Sequence, residues 1–93
     1  MAVDSNKQIW MKLVEELNEL STVIIQHYNK PDKDLSNEII DELGDVIFQM
    51  QRVKENSPQE VIEAIDKRVA WKKLKYQLKE QFNSDWTEEQ GQS

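Results

Sequence analysis

Two pairs of acidic residues stand at helical spacing in this sequence. Glu16 and Glu19 are three residues apart, and Glu42 and Asp45 repeat that interval after a gap of 22 residues. Residues three apart occupy neighbouring positions on one helix surface. If the two helices pack antiparallel, the carboxylates flank one seam, where each like-charge contact costs roughly 3 kcal/mol at an effective dielectric near 20. Such groups stay apart in solvent, rise in pKa, or are neutralised by a hard cation such as Mg²⁺.

Each acidic pair borders an apolar stripe with the period of an α-helix. The first stripe is Ile9, Leu13, Leu17, Leu20 and Ile24, and the second is Ile39, Leu43, Val46, Met50 and Val53. These intervals predict two amphipathic helices that pack through their stripes. Gly44 interrupts the second helix, where glycine costs about 1 kcal/mol relative to alanine. We therefore expect another part of the molecule to approach Gly44 closely.

The two pairs and their neighbours resemble a known bipartite motif. Glu15-Glu16-Leu17-Asn18-Glu19, followed by Glu42-Leu43-Gly44-Asp45, is similar to the Glu-Glu-x-x-Glu and Glu-x-x-Asp signature of the MazG-like nucleoside triphosphate pyrophosphohydrolases. The resemblance covers residues 9–82 and implies an all-α, MazG-like helical bundle. It implies hydrolysis of ribo- or deoxyribonucleoside triphosphates to the monophosphate and pyrophosphate. It also implies Mg²⁺, with Mn²⁺ as a substitute, held by Glu16, Glu19, Glu42 and Asp45.

Residues around the motif suggest further roles. Glu15 lies about 100° from Glu16 on the helix, so we expect Glu15 to support the metal ligands or to activate the attacking water rather than to bind the metal. Together with Glu16 it is assigned to catalysis. Members of the family often carry Lys-x-x-x-Asn late in the chain, in contact with substrate. Lys73 and Gln77 match that segment, with glutamine in place of asparagine. Periodicity favours instead a basic stripe for phosphate contact, formed by Arg68, Lys72, Lys75 and Lys79.

Composition fits one small helical domain. The chain has 93 residues, of which 32% are charged, and only 2 Gly and 2 Pro, which is typical of helical proteins. We expect a single domain over residues 1–93 with a polar, mobile tail at 84–93. The lack of cysteine excludes disulfides, thiolate nucleophiles and cysteine-ligated zinc. Because the N-terminus has no apolar run and no stretch approaches 18 apolar residues, we expect neither secretion nor membrane insertion, and a cytoplasmic location.

Helix-capping signals and helix-breaking segments predict three helices. Their expected bounds are Asn6 to Tyr28, Asp34 or Ser36 to Glu55, and Pro58, capped by Ser57, to about Phe82. The first helix carries a second apolar stripe, formed by Trp10, Val14, Ile25 and Tyr28. Three helices are too few to cover both stripes, and soluble monomers rarely expose so large an apolar patch. We therefore expect a bundle completed by oligomerisation, as a homodimer or homotetramer.

Two other functions remain open from the sequence. The main alternative to an enzyme is a non-catalytic helical module that binds a partner or has a regulatory role. A net charge of −6 argues against nucleic-acid binding, although residues 67–79 hold six basic residues and no acid. Residues 15–45, in contrast, hold nine acids. This asymmetry suits a ligand that carries both metal and phosphates, and it equally suits charge pairing within the chain.

Overall fold

The computed structural model describes residues 7–89, with side chains as far as Phe82. That range contains three α-helices and no strand: α1 (Lys7–Asn29), α2 (Ser36–Glu55) and α3 (Gln59–Glu89). The prediction of an all-α protein is confirmed. Across residues 7–89, no helix combines the length and the apolar content that a bilayer crossing needs. The predicted start of the first helix at Asn6 lies outside the described residues.

The chain divides after Pro58 into two compact units. In the first unit α1 packs against α2, and residues 30–35 connect them. A connection this short makes neighbouring helices antiparallel, so the first unit is a helical hairpin. The second unit is α3. The expectation of a single domain over residues 1–93 stays a prediction.

Side chains close the turn between α1 and α2. The backbone N–H of Leu35 donates to His27 Nδ1 at 3.1 Å, which ties the end of α1 to the residue before α2. Asp34 Oδ1 accepts hydrogen bonds from the Ser36 backbone N–H at 3.0 Å and from its hydroxyl at 2.6 Å. These bonds lower the pKa of Asp34. The N-cap position of α2 is nevertheless Leu35, which makes no side-chain cap hydrogen bond, so the expectation that Asp34 or Ser36 caps this helix is wrong. Asp34 supports the turn from one residue before the cap.

The surface shared by α1 and α2 differs from the predicted stripes. We call it the seam, and its least exposed positions are Ile9, Leu13, Glu16, Leu20, Val23 and His27 on α1, and Leu35, Ile39, Glu42, Val46, Gln49 and Val53 on the α2 side. Both sets repeat at intervals of four and three, so each forms one helix face. Four residues predicted to be core are instead 36% to 52% exposed: Leu17, Ile24, Leu43 and Met50. For these four the predicted packing is wrong.

The reason for the difference is the width of the apolar surface. Apolar residues cover a broad arc of each helix, and the hairpin packs through one margin of that arc, beside the acids. In an antiparallel pair with these spacings, Leu17 and Leu43 fall on one side of the seam, whereas Glu19 and Asp45 fall on the other. The hairpin consequently has an apolar side and an acidic side.

The part of the seam near the end of α2 is a small apolar core that contains one polar residue. Val46 and Val53 are buried there, and each contributes about 1.5 kcal/mol or more by removing its side chain from water. Gln49 lies between them and is also buried. Its Oε1 accepts a hydrogen bond from Arg52 Nη1 at 3.1 Å, which satisfies the buried amide oxygen.

The third helix is longer than the sequence suggested. It continues through residues 83–85, which were expected to end it, as far as Glu89. Asn, Ser and Asp each cost only a few tenths of a kcal/mol in a helix, and the segment has no Gly or Pro, so this outcome is reasonable. Residues 90–93 of the expected mobile tail lie outside the described range. The third helix begins at Gln59 rather than at Pro58, and the hydroxyl of the predicted cap Ser57 donates to the Val53 carbonyl of α2 at 2.7 Å.

Apolar side chains remain exposed on all three helices, and those of α1 and α3 bear on the expected second stripe and on assembly. On α1, Val14, Ile25 and Tyr28 are 43%, 57% and 77% exposed, whereas Trp10 is half-buried. The second stripe of α1 is therefore largely unburied in the single chain, as expected. On α3 the exposed apolar residues are Val69, Trp71, Leu74, Tyr76, Leu78 and Phe82.

The position of Gly44 leads to a stability prediction. A Cβ built on Gly44 meets nothing within 4 Å in the described part of the chain, so the expected close approach is not found there. Gly44 lies on the face of α2 opposite the seam. Gly44→Ala is expected to stabilise the protein by about 1 kcal/mol, which corresponds to roughly 4–8 °C in Tm for a domain of this size.

Thermal unfolding followed by circular dichroism measures this effect. Gln51→Ala, at an exposed position of the same helix, is the matched control and should change Tm little. A lower Tm for Gly44→Ala would mean that another molecule packs against Gly44 in solution.

Candidate metal centre

Three carboxylates from two helices converge at the seam. Glu16 and Glu19 from α1 and Glu42 from α2 each offer one oxygen, and these oxygens lie within 4.8 Å of one another. Glu16 and Glu42 occupy seam positions, and Glu19 is exposed on the acidic side. The structure thus brings together three of the four residues that the sequence suggested as metal ligands. It places two of them inside the helix contact, whereas the sequence placed them beside it.

Two of the carboxylate oxygens are buried without a partner. Glu16 is only 7% exposed, and Glu42 is half-buried. Their Oε2 atoms are both inaccessible and have no hydrogen-bond partner among the described residues. Buried polar atoms are nearly always paired, because an unpaired one loses its hydration without compensation. These two oxygens therefore call for a proton, a water molecule or a cation.

Electrostatics at Glu16 point the same way. Burial raises the pKa of Glu16, and the negative charges of Glu19 and Asp45 raise it further, while the positive charge of Lys12 opposes them. The ionised form of Glu16 is therefore held at a cost in the metal-free protein. A divalent cation would remove that cost by supplying the missing positive charge.

One cation of the chain itself already contacts the cluster. Lys12 Nζ lies 3.5 Å from Glu15 Oε2 and 3.5 Å from Glu16 Oε1. The charge of Glu15, supported by that of Glu16, raises the pKa of Lys12, so the ammonium group stays charged at neutral pH. Sequence reasoning missed this residue. The available signal was its spacing of three and four residues from two acids on one helix.

Glu15 and Asp45 lie at the edge of the cluster. The Glu15 side chain is 58% exposed and pairs with Lys12, in keeping with its different direction from Glu16. Asp45 is exposed and does not belong to the group of three close oxygens, although its charge acts on Glu16. Its assignment as a fourth ligand stays a prediction.

The group fits a hard divalent cation. All of its donors are carboxylate oxygens, which are the ligands that Mg²⁺ and Mn²⁺ prefer. Oxygens on opposite sides of one Mg²⁺ stand roughly 4 Å apart, and the three oxygens here lie within 4.8 Å of one another. Small side-chain movements would therefore suffice to bind an ion.

A shallow groove with a largely apolar lining adjoins Glu19 on the same helix. It has a volume of about 270 Å³ and is lined by Asn18, Glu19, Thr22, Val23 and Gln26. The hydroxyl of Thr22 donates to the Asn18 carbonyl at 2.9 Å. The groove offers amide, hydroxyl and apolar surface next to the carboxylates.

The two alternatives for phosphate contact both lie on exposed positions of α3. Lys73 lines a shallow groove of about 360 Å³ together with Arg68, Val69, Lys72 and Tyr76, and Gln77 is exposed. Three members of the basic stripe surround one indole: the charged groups of Arg68, Lys72 and Lys75 lie 5.0, 5.6 and 5.0 Å from the Trp71 ring centre. Such cation–π contacts hold the cations together on one face. The choice between Lys73 and the stripe remains open.

Comparisons with known proteins do not extend the resemblance. No protein-family model, curated protein or solved structure matches this sequence. The likeness to the MazG-like enzymes rests on the bipartite motif, and the candidate site rests on the geometry of the seam.

The raised pKa of Glu16 predicts how the stability of the metal-free protein depends on pH. A buried carboxyl with a raised pKa destabilises the folded state above that pKa. This penalty disappears as the pH falls toward about 4.3, the ordinary value for glutamate. Asp34 has a lowered pKa, so its protonation destabilises the folded state only below about pH 4. In EDTA, the contribution of Glu16 to Tm should therefore rise as the pH falls through its raised pKa toward about 4.3.

Substitution at Glu16 tests the cause of this pH dependence. Glu16→Gln should have a higher Tm than the wild type at about pH 7.5 and a much weaker dependence on pH. Glu63→Gln, which removes an exposed acid of α3, should keep the wild-type dependence. A wild-type Tm that falls steadily on acidification would contradict the prediction.

Proposed function

We propose that this protein is a Mg²⁺-dependent nucleoside triphosphate pyrophosphohydrolase, which converts a ribo- or deoxyribonucleoside triphosphate to the monophosphate and pyrophosphate. The observation that carries the proposal is the convergence of Glu16, Glu19 and Glu42, with two buried carboxylate oxygens that lack a partner in residues 7–89. The helical fold retains these acids at a contact where apolar side chains would be more stable. The reaction that we propose for this site is the one that the resemblance of the bipartite motif implies.

In the proposed site the acids of the seam hold the cation. Glu16, Glu19 and Glu42 would bind it, and Asp45 would complete the set from the acidic side of α2. The ion, Mg²⁺ or Mn²⁺, supplies positive charge that offsets the triphosphate and polarises the α-phosphorus. Rigid placement on two packed helices keeps the carboxylates close together before substrate arrives, so little reorganisation is required.

Carboxylates beside the cation would handle the attacking water. Glu15 is largely exposed and adjoins Glu16, so it is suited to orient the water and accept its proton. The water oxygen forms a bond to the α-phosphorus, and the bond from that phosphorus to the bridging oxygen of the pyrophosphate breaks. The electron pair leaves with the pyrophosphate. Positioning and electrostatic stabilisation account for most of the rate in this scheme.

The remainder of the substrate requires contacts outside the carboxylate cluster. Lys73 would bind the phosphates and Gln77 the base, as the family segment implies, with the stripe of Arg68, Lys72, Lys75 and Lys79 as the alternative phosphate contact. The groove beside Glu19 offers space for the nucleoside on the hairpin itself.

We further propose that the active form is a homodimer or homotetramer. Val14, Ile25 and Tyr28 on α1 and Leu78 and Phe82 on α3 are exposed in the single chain. A two-fold interface between copies would remove these apolar surfaces from water, and closed symmetric assemblies are the commonest way to do so. No membrane partner is invoked, and the net charge of −6 disfavours nucleic acid as the ligand.

The exposed apolar surfaces also favour the second candidate function, a partner-binding helical module without catalysis. Ile40, Ile47 and Phe48 on α2 are exposed as well, and contiguous apolar surface commonly marks a protein interface. The two functions differ in what nucleotides do. An enzyme releases pyrophosphate, whereas a binding module leaves every triphosphate intact.

A panel of ribo- and deoxyribonucleoside triphosphates, both unmodified and modified, tests the proposed activity. At least one should give monophosphate and pyrophosphate with Mg²⁺, and EDTA should abolish the reaction. Glu42→Gln should lower kcat/KM by about 100-fold or more, because a ligand of the cation is lost. It should leave the metal-free Tm unchanged or higher, since one charge leaves a repelling cluster.

The matched control is Asp41→Asn, which removes an exposed acid of the same helix and should keep near-normal activity. Full activity of Glu42→Gln would refute the assignment of the metal site. If every nucleotide remains intact, the partner-binding module becomes the better reading.

The proposed assembly is tested by placing a charge in the second stripe of α1. Val14→Asp and Ile25→Asp should each dissociate the oligomer and reduce activity at least tenfold, because burying an unpaired carboxylate costs several kcal/mol. Light scattering at micromolar concentration measures the mass. Gln8→Asp, an exposed position of α1, should leave the assembly intact. An active wild-type monomer of 11.0 kDa would contradict the proposal.

A further inference from the structure

Lys12 is in direct contact with one of the two buried carboxylates. Its Nζ is 3.5 Å from Glu16 Oε1, whereas Glu16 Oε2 has no partner in the part of the chain described. Glu16 is 7% exposed, so this contact joins a partly exposed ammonium group to a buried carboxylate. Most lysine–carboxylate pairs on helices have two exposed members and contribute little. Here the buried member makes the pairing significant.

The contact has two opposite consequences for the cluster. In the metal-free protein Lys12 offsets part of the negative charge of Glu15 and Glu16, and so helps the hairpin to tolerate acids in its seam. When a divalent cation approaches the same carboxylate, the ammonium charge repels it. The Lys12 side chain is 43% exposed and flexible, so it can move into solvent while the cation binds.

We propose that Lys12 is a built-in counter-cation that competes with the divalent ion for Glu16 and thereby sets the metal affinity of the site. The proposal rests on the metal site included in the proposed function, but it does not depend on which nucleotide, if any, is hydrolysed. A site occupied by Lys12 would be stable when metal is scarce and would exchange the ammonium contact for Mg²⁺ when metal is abundant.

A role in positioning Glu16 predicts the opposite effect and is therefore distinguishable. If Lys12 served to orient the Glu16 carboxylate for metal binding, its removal would weaken the affinity for Mg²⁺. The packing of Glu16 in the seam already restrains that side chain. The ammonium contact at 3.5 Å is too long for a strong, directional hydrogen bond. Both observations favour competition over positioning.

Isothermal titration calorimetry with Mg²⁺ alone, without nucleotide, measures the effect. Lys12→Gln should bind Mg²⁺ about fivefold more tightly than the wild type, since one repelling unit charge near the ion is removed. Lys12→Arg should bind like the wild type. The metal-free Tm of Lys12→Gln should be lower, and its rise on adding Mg²⁺ larger. The difference in affinity should shrink at about 0.5 M salt, where charges are strongly screened.

Lys7→Gln is the matched control, because it makes the same change in net charge at an exposed position five residues earlier on α1. It should change Mg²⁺ affinity by less than about twofold, as expected for a distant screened charge. Weaker binding by Lys12→Gln, or an effect equal to that of Lys7→Gln, would overturn the counter-cation role while leaving the metal site intact. If neither the wild type nor Lys12→Gln binds Mg²⁺, the metal site and the counter-cation role fail together. If Mg²⁺ binds as expected but no nucleotide is hydrolysed, only the proposed enzymatic function fails.

Discussion

The burial of acidic groups between two helices is the constraint on which the hairpin depends. Glu16 and Glu42 take positions in the seam that would otherwise hold apolar side chains, and their Oε2 atoms have no partner among the residues described. Burial and neighbouring charges raise the pKa of Glu16, which expresses the same cost in terms of proton binding. Apolar seam residues on both sides of the acids, among them Ile9, Val46 and Val53, provide the burial that offsets this cost. Leucine side chains would make this helix contact more stable, but the contact holds ionisable carboxyl groups.

The placement of the acids also determines the two sides of the hairpin. Because the seam runs along the margin of each apolar arc, Glu19 and Asp45 fall on one side, and Leu17 and Leu43 fall on the other. The acidic side concentrates negative potential where a cation and its ligand would arrive. The apolar side remains exposed in the single chain, which is consistent with an interface. The proposed site and the proposed interface would therefore occupy opposite sides of the same two helices.

Charge is distributed between the two units in a complementary way. The hairpin carries most of the acids, whereas residues 67–79 of α3 hold six basic residues and no acid. On α3 the cations are gathered rather than dispersed, since three of them surround Trp71 at 5.0 to 5.6 Å. Within the hairpin, Lys12 likewise places a positive charge next to acidic side chains.

The sequence by itself determined the helical class, the three helices and the identity of the acidic cluster. Periodicity and spacing are properties of a single helix, so the intervals between Glu16 and Glu19, and between Glu42 and Asp45, could be read directly. Only the tertiary structure decided which margin of each apolar arc forms the seam, because that choice depends on how two helices fit together. For this reason Leu17 and Leu43 were expected in the core and are exposed, and Glu16 was expected beside the contact and lies within it. The pairing of Lys12 with a buried carboxylate follows from that choice, since neighbouring charges on one helix gain importance only when packing removes one of them from water.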